Sequence, residues 1–328
     1  KTIDVALKEG SKAEAKGIDA DTYYMGLTAK DFTVTSKNYS NIKVNVVDGY
    51  LTITPSSDPV TVNITGSTGS VLYNGGEQSV IGYTTDVGNK TITVALKDGH
   101  KAEAKGTDAK TSYYMGLTED SFNVTSRNYS NITVNVTDGW LEITRRTVHL
   151  ESKGGTREYD GTPLTKPDVT VTGDGFVAGE VSDIKAIGIV TFVDEGTVDN
   201  TITFTPGAKY NVNNYIISKE EGKLSITPRT EEIIITTPTR SRAYNGERLV
   251  DYQTTHTGTI LDGDRLVVVF PADAGLTDAG SKANTYERYY VERISTGKDV
   301  TANYTFGESV IGTLTVTPVE IELTANSA

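Results

Sequence analysis

Residues 128–144 read NYSNITVNVTDGWLEIT, and residues 38–54 read NYSNIKVNVVDGYLTIT. In the first stretch Ile132, Val134 and Val136 alternate with Thr133, Asn135 and Thr137, and the alternation resumes after Asp138-Gly139 at Leu141 and Ile143. A period of two marks a strand buried on one face. A slip of one residue would turn every Val outward, so the register is well specified. Asp-Gly between two alternating runs predicts a hairpin with a type I′ turn, whose two central residues both need positive φ. TITVALKDGHKAEAKG at 91–106 predicts a second hairpin about Asp98-Gly99. GLTAKDF (26–32) and GLTEDSF (116–122) allow one turn of helix each and no more.

The stretch is paraphrased twice further on, as NYIISKEEGKLSITP at 214–228 and NYTFGESVIGTLTVTP at 303–318. Asn38, Asn128, Asn214 and Asn303 are therefore 90, 86 and 89 residues apart. Tyr-Asx-Gly at 73–75, 159–161 and 244–246 repeats at intervals of 86 and 85. Two markers on one period establish an internal repeat. Modules run over 56–144, 145–228 and 229–318, followed by a tail or the start of a linker at 319–328. Residues 1–55 match 90–144 at about three positions in four, with one residue inserted near Ser112. They form a first module without its opening third. The chain so begins in mid-pattern, which suggests a piece of a longer protein.

Short strands separated by turn signals every 8 to 12 residues point to an all-β chain of tandem two-sheet sandwiches. An immunoglobulin-like topology is the first expectation and a β-grasp module, one sheet around one helix, the alternative. DADTYY (19–24), DAKTSYY (108–114) and DAGSKANTY (278–286) place Asp-Ala a few residues before Tyr. That spacing suits a tyrosine corner, in which a Tyr hydroxyl bonds back to upstream backbone. The order Tyr-Asx-Gly, Asp-Ala-x-x-Tyr, Asn-Tyr and Asp-Gly-[Tyr/Trp]-Leu-x-Ile-Thr resembles the MBG/YDG-type repeats of large bacterial surface proteins, from Lys1 to Pro318. The resemblance is loosest in the last module, at ANTYERYYVE (283–292). It implies an extracellular, wall-attached, adhesin-like protein, and no catalytic residues.

Composition narrows the function classes. A formal charge of −12 and no cysteine argue against a nucleic-acid partner, which needs clustered Lys and Arg. They also remove disulfides and thiolate chemistry. No run approaches the roughly 20 apolar residues of a membrane span. His100, His149 and His256 fall in different modules without metal-ligand spacing, and Ser11 stands where His100 does. Asp262-Gly263-Asp264, and Asp194-Glu195 near Asp199, are read as solvated turns, since neither gathers the six or more oxygens of a calcium loop. Asn-x-Ser/Thr triplets begin at Asn38, Asn63, Asn89, Asn123, Asn128, Asn131, Asn135 and Asn303. Chance in an Asn- and Thr-rich chain accounts for them. A Lys–Asn isopeptide bond would need Lys, Asn and an acid buried together, which spacing does not locate.

The expectation is no cofactor and no metal. In TYYMG and SYYMG the adjacent Tyr23/Tyr24 and Tyr113/Tyr114 must point to opposite faces if extended. One of each pair is then core or corner. The other, with Trp140, is a candidate contact for a host glycan or protein, although half-buried tyrosine also simply suits a sheet. A strand-end aromatic covering a module junction explains Trp140 without a ligand. The differences between the near-duplicate modules are scattered conservative swaps such as Lys37 for Arg127, which disfavours an enzyme. Strands of about ten residues would give modules of about 35 Å, and four in a row a rod of roughly 120–140 Å. The first functional reading is a monomeric spacer projecting another domain from the cell wall. The second is a set of weak, multivalent binding modules.

Overall fold

The computed structural model describes residues 2–88 and 90–324. The Asn89 triplet and the last residues of the expected tail, 325–328, lie outside the described residues, as does Lys1. Every regular element is a strand or a three-residue 3-10 turn. The protein is all-β. No α-helix occurs among the described residues, so the β-grasp alternative lacks the helix it requires. The chain forms two compact units, Lys1–Arg146 with Val212–Asn214, and Thr147–Asn211 with Tyr215–Ala328.

In the first unit the strand Val60–Gly66 lies between Ile132–Thr137, which is parallel to it, and Tyr83–Asp86, which is antiparallel. Trp140–Thr144 lies between Thr68–Leu72, parallel, and Lys110–Tyr114, antiparallel. Val60, Val62 and Ile64 are buried and the Thr and Asn residues between them exposed, as alternation requires. Val62 and Ile64 form the core with Ala102, Leu117 and Phe122, and Ile132, Val134 and Val136 pack against it. Each such side chain removed from water contributes roughly 1.5–3 kcal/mol.

Neither expected hairpin forms. Ile132–Thr137 and Trp140–Thr144 pair with strands some 72 residues earlier, in two different sheets, so Asp138-Gly139 is where the chain crosses between sheets. The Asp138 carboxylate accepts the N–H groups of Gly116 (3.0 Å) and Leu117 (2.9 Å). Gly139 does not have the positive φ of a type I′ turn. Its role is close approach, because a Cβ there would meet the carbonyl of Ser67 and, at 2.6 Å, the sulfur of Met115. Asp48 holds Gly26 and Leu27 in the same way. At Asp98-Gly99 only Gly99 has positive φ, 86°. The strands on either side, Thr93–Leu96 and Glu103–Gly106, pair with Phe122–Thr125 and Gln78–Ile81. Short-range turn chemistry was thus overridden by long-range pairing.

The second unit repeats the layout twice. Lys223–Thr227 lies between Gly155–Glu158, parallel, and Val198–Asp199, antiparallel. Thr313–Thr317 lies between Arg240–Ala243, parallel, and Gly280–Ala283, antiparallel. One hydrophobic cluster takes Tyr159, Leu164, Val190 and Leu224 from residues 145–228, and Ile233, Val291 and Tyr304 from residues 229–318. Two sequence repeats here share a core.

Substituting Gly139→Ala should lower the stability of the first unit by about 1–3 kcal/mol, the usual cost of overpacking. The urea midpoint measures it. A hairpin turn at this position would have left the midpoint nearly unchanged.

Candidate functional site: a recurrent asparagine clasp

The tyrosine corner is present where its spacing is kept. The Tyr23 hydroxyl donates to the Asp19 carbonyl at 3.0 Å, and the Tyr113 hydroxyl to the Asp108 carbonyl at 2.9 Å. Each ring lies over a glycine, Gly17 or Gly106, where a Cβ would collide with it. In the last module the expectation fails. Asn284, not a tyrosine, stands opposite the crossing glycine, its N–H donating to Gly312 O as Met115 N–H does to Gly139 O. Tyr286 lies beyond it and hydrogen-bonds Ser309.

The aspartate that anchors the corner also does something the sequence did not suggest. Ala20 N–H donates to Asn128 Oδ1 (2.7 Å), and Asn128 Nδ2 donates to Asp19 Oδ1 (2.7 Å). The pattern recurs at Ala109 N–H to Asn214 Oδ1 (2.7 Å) and Asn214 Nδ2 to Asp108 Oδ1 (2.8 Å). This is why the short segment Val212–Asn214 belongs to the first unit. A third Oδ1, that of Asn303, accepts from Val193 N–H at 2.7 Å. The asparagine of each Asn-Tyr motif therefore clasps the corner of the module one repeat earlier. Its main-chain carbonyl meanwhile accepts a linker N–H, Ser56 for Asn128 (2.8 Å) and Arg229 for Asn303 (2.9 Å). Asn38, with no earlier corner to meet in this chain, is exposed.

At the third clasp Phe192 occupies the place of Asp19 and Asp108. Asn303 Nδ2 is buried without a well-formed partner, its approach to the Tyr159 hydroxyl notwithstanding. A different network surrounds it. Asp264 Oδ2 accepts from the hydroxyls of Tyr159 (2.9 Å) and Tyr304 (2.7 Å). Arg293 donates from Nη2 to the Tyr159 hydroxyl (2.9 Å) and to Gly161 O (3.1 Å). Its Nε lies 3.1 Å from Asp264 Oδ1, near enough for an ion pair but off the line of a hydrogen bond. Asp264 was expected in a solvated turn. Its side chain is instead fully buried, because tyrosines 105 and 40 residues away converge on it. Within residues 145–228 the Tyr215 hydroxyl donates similarly to Glu180 Oε2 at 2.7 Å.

The Tyr-Asx-Gly tyrosines are the other half of this arrangement. Tyr73, Tyr159 and Tyr244 each donate a main-chain N–H to the last-strand threonine, Thr144, Thr227 or Thr317. Their side chains are 3%, 1% and 45% exposed. The exposed one belongs to the last repeat.

The candidate ligand residues divide between two roles. Tyr23 and Tyr113 are corner residues. Tyr24 and Tyr114 are exposed, and each faces a cross-strand aromatic, Tyr50 and Trp140 respectively. Trp140 thus sits within its module rather than over a junction. In the next repeat the corresponding pair is Asp199 and Lys223, ion-paired at 2.6 Å, and in the last it is Ala283 and Thr313. Among the acids expected in turns, Asp194 pairs with Lys298 (3.1 Å), and Glu195 accepts the N–H groups of Thr191 and Phe192. Among the described residues no group of three or more His, Asp or Glu side chains is placed to hold a metal, and no lysine is buried as an isopeptide bond would need.

Asn128→Ala should destabilise the first unit by about 1–3 kcal/mol, the cost of stranding a half-buried N–H and carboxylate. Asn38→Ala, at the same motif position, should change it by less than about 0.5 kcal/mol. Chemical denaturation of the two variants side by side checks this. The Tyr159 and Tyr304 hydroxyls are both pushed well above their ordinary value near 10, by burial first and then by Asp264. Because the folded values are raised, the stabilisation is complete below about pH 10 and is lost as pH rises through them. Unfolding of the second unit, followed between pH 8 and 11, should become easier from about pH 10. Tyr304→Phe should reduce that slope by up to about 1.4 kcal/mol per pH unit.

No family model matches the chain, and no curated protein does. Among solved structures, a titin I9–I11 tandem aligns over 79% of this chain and 100% of its own, at 10% identity and a TM-score of 0.24. The Bacillus anthracis TIE protein aligns over 91% of this chain and 57% of its own, at 9% identity and a TM-score of 0.14. Superpositions this loose carry no inference about function or descent.

Proposed function

We propose that the chain is a structural spacer: tandem immunoglobulin-like modules in the stalk of an adhesin-like bacterial cell-surface protein, extracellular, joined to the wall through other regions, and without catalytic activity. The observation that carries this reading is the clasp. The most faithfully repeated side chain, the asparagine of Asn-Tyr, is used on a neighbouring module and not on a ligand-sized cleft. A repeat whose invariant chemistry is spent on its own junctions suits a part that carries load and sets distance. The net charge of −12 keeps neighbouring stalks apart.

The exposed pairs Tyr24/Tyr50 and Tyr114/Trp140 favour a second reading, multivalent contact with host glycans or a matrix protein. Against it, the same positions carry an ion pair and then Ala and Thr in the other two modules. The deciding measurement is binding of the chain to a panel of glycans, mucin and matrix proteins. Silence is expected. Saturable binding that strengthens with the number of modules and is lost in Tyr24→Ala/Tyr114→Ala would replace the spacer with an adhesive array.

A further inference from the structure

Residues 42–47, IKVNVV, and residues 132–137, ITVNVT, carry the same apolar positions. The second is a strand because Val60–Gly66 lies parallel beside it. The first is not a strand, and in the 1–55 module no segment occupies the place of Val60–Gly66. The core residues on the other walls are all present. Ile3, Val5, Phe32, Val34, Val44 and Val46 line an open groove of about 420 Å³, and their counterparts Ile92, Val94, Phe122, Val124, Val134 and Val136 enclose Val62 and Ile64. The groove is thus an imprint of those two side chains. A second, shallower depression lies over Leu51, Ala15 and Gly17. There Leu51 is 39% exposed, whereas its counterpart Leu141, beside the parallel strand Thr68–Leu72, is 1% exposed.

We propose that the first module accepts a pair of β-strands from another chain bearing this repeat, an extended segment with the chemistry of residues 58–72. Its features are set by what fills the equivalent place. Apolar, mostly β-branched residues stand at alternate positions, as Val60, Val62 and Ile64 do, to enter the groove. Threonine or asparagine stands between them, facing water. An asparagine at the centre fixes the register, because Asn135 Nδ2 donates to Asn63 Oδ1 at 3.1 Å and Asn45 stands where Asn135 does. The incoming strand runs parallel to residues 42–47, turns residue 47 from 96% exposed into a strand end, and continues over Leu51 as Thr68–Leu72 does over Leu141. Main-chain pairing supplies affinity and the alternate apolar side chains supply specificity, as in other strand additions. This link between chains goes beyond the spacer reading and does not depend on it.

The test is a fluorescent peptide of residues 56–75 titrated into the intact 328-residue chain, with hydrogen exchange followed in the complex. The expected result is saturable 1:1 binding with new protection at residues 42–47 and 50–53. A peptide carrying Val62→Asp and Ile64→Asp should bind at least a hundredfold more weakly, and Asn63→Ala a few-fold. Varying the peptide leaves the protein's own fold untouched. Absence of saturable binding, equal binding of the Asp-substituted peptide, or protection confined to other modules would overturn the proposal.

Discussion

The interaction on which the rest depends is a planar amide meeting one aspartate corner. An asparagine side chain presents an acceptor and a donor side by side, and the Asp-Ala corner presents a backbone N–H beside a carboxylate oxygen. The match is specific in sign. Aspartate in place of asparagine would set two acceptors against a carboxylate, and glutamine would carry the amide one methylene too far. The same aspartate holds the corner tyrosine through its carbonyl. One residue therefore fixes the local turn with its main chain and the neighbouring module with its side chain, so a change in the corner is transmitted to the junction. Both groups are half-buried or better, where an unmatched partner costs more than the bond itself contributes.

The clasp with Phe192 shows what replaces that economy. Without the carboxylate, Asn303 keeps its acceptor role and leaves its donor poorly used. The phenyl ring lies under Lys298, 4.0 Å from its centroid, and beside Tyr159. Behind it Asp264, two tyrosines and Arg293 form a closed network. A buried ion pair is weak evidence for stability, since desolvation offsets most of the attraction. Its consequence is orientation: Asp264 is satisfied only when Tyr159 from one repeat and Tyr304 from the next both reach it. The apolar cluster around it supplies the stability, and the polar centre fixes which way the two repeats face within that shared core.

Strand content was legible because alternation is a local signal, and the modules' sandwich character followed from it. The two Asp-Gly sites were misread because the hairpin rule looks only at neighbours, while the true partners lie some 72 residues away. A hint was present in Met25 and Met115, long apolar residues directly after the Tyr-Tyr pairs, which press on the crossing glycines and leave no room for a turn. The clasp asparagines were passed over as chance glycosylation triplets at Asn128 and Asn303. Their repetition on the same period as Asp-Ala was the available signal, since a side chain kept through four paraphrases while its neighbours drift has a fixed partner. Asp264 was not legible at all. Nothing local distinguishes a carboxylate in a turn from one beneath two distant tyrosines.

The comparison between the first two modules separates propensity from partnership. IKVNVV and ITVNVT have nearly the same intrinsic preference for extended structure, yet only the one beside Val60–Gly66 becomes a strand. What differs is the partner, which completes the ladder and buries the alternate side chains. The same holds one level up. Tyr159 is buried and Tyr244 is not, although both occupy the same place against the last strand of their own repeat. The repeat that is counted along the sequence is therefore shorter than the unit that folds. A module completes its core, its tyrosine and its asparagine only against what lies beside it, and a chain built of such modules has its least satisfied chemistry at its first groove and its last tyrosine.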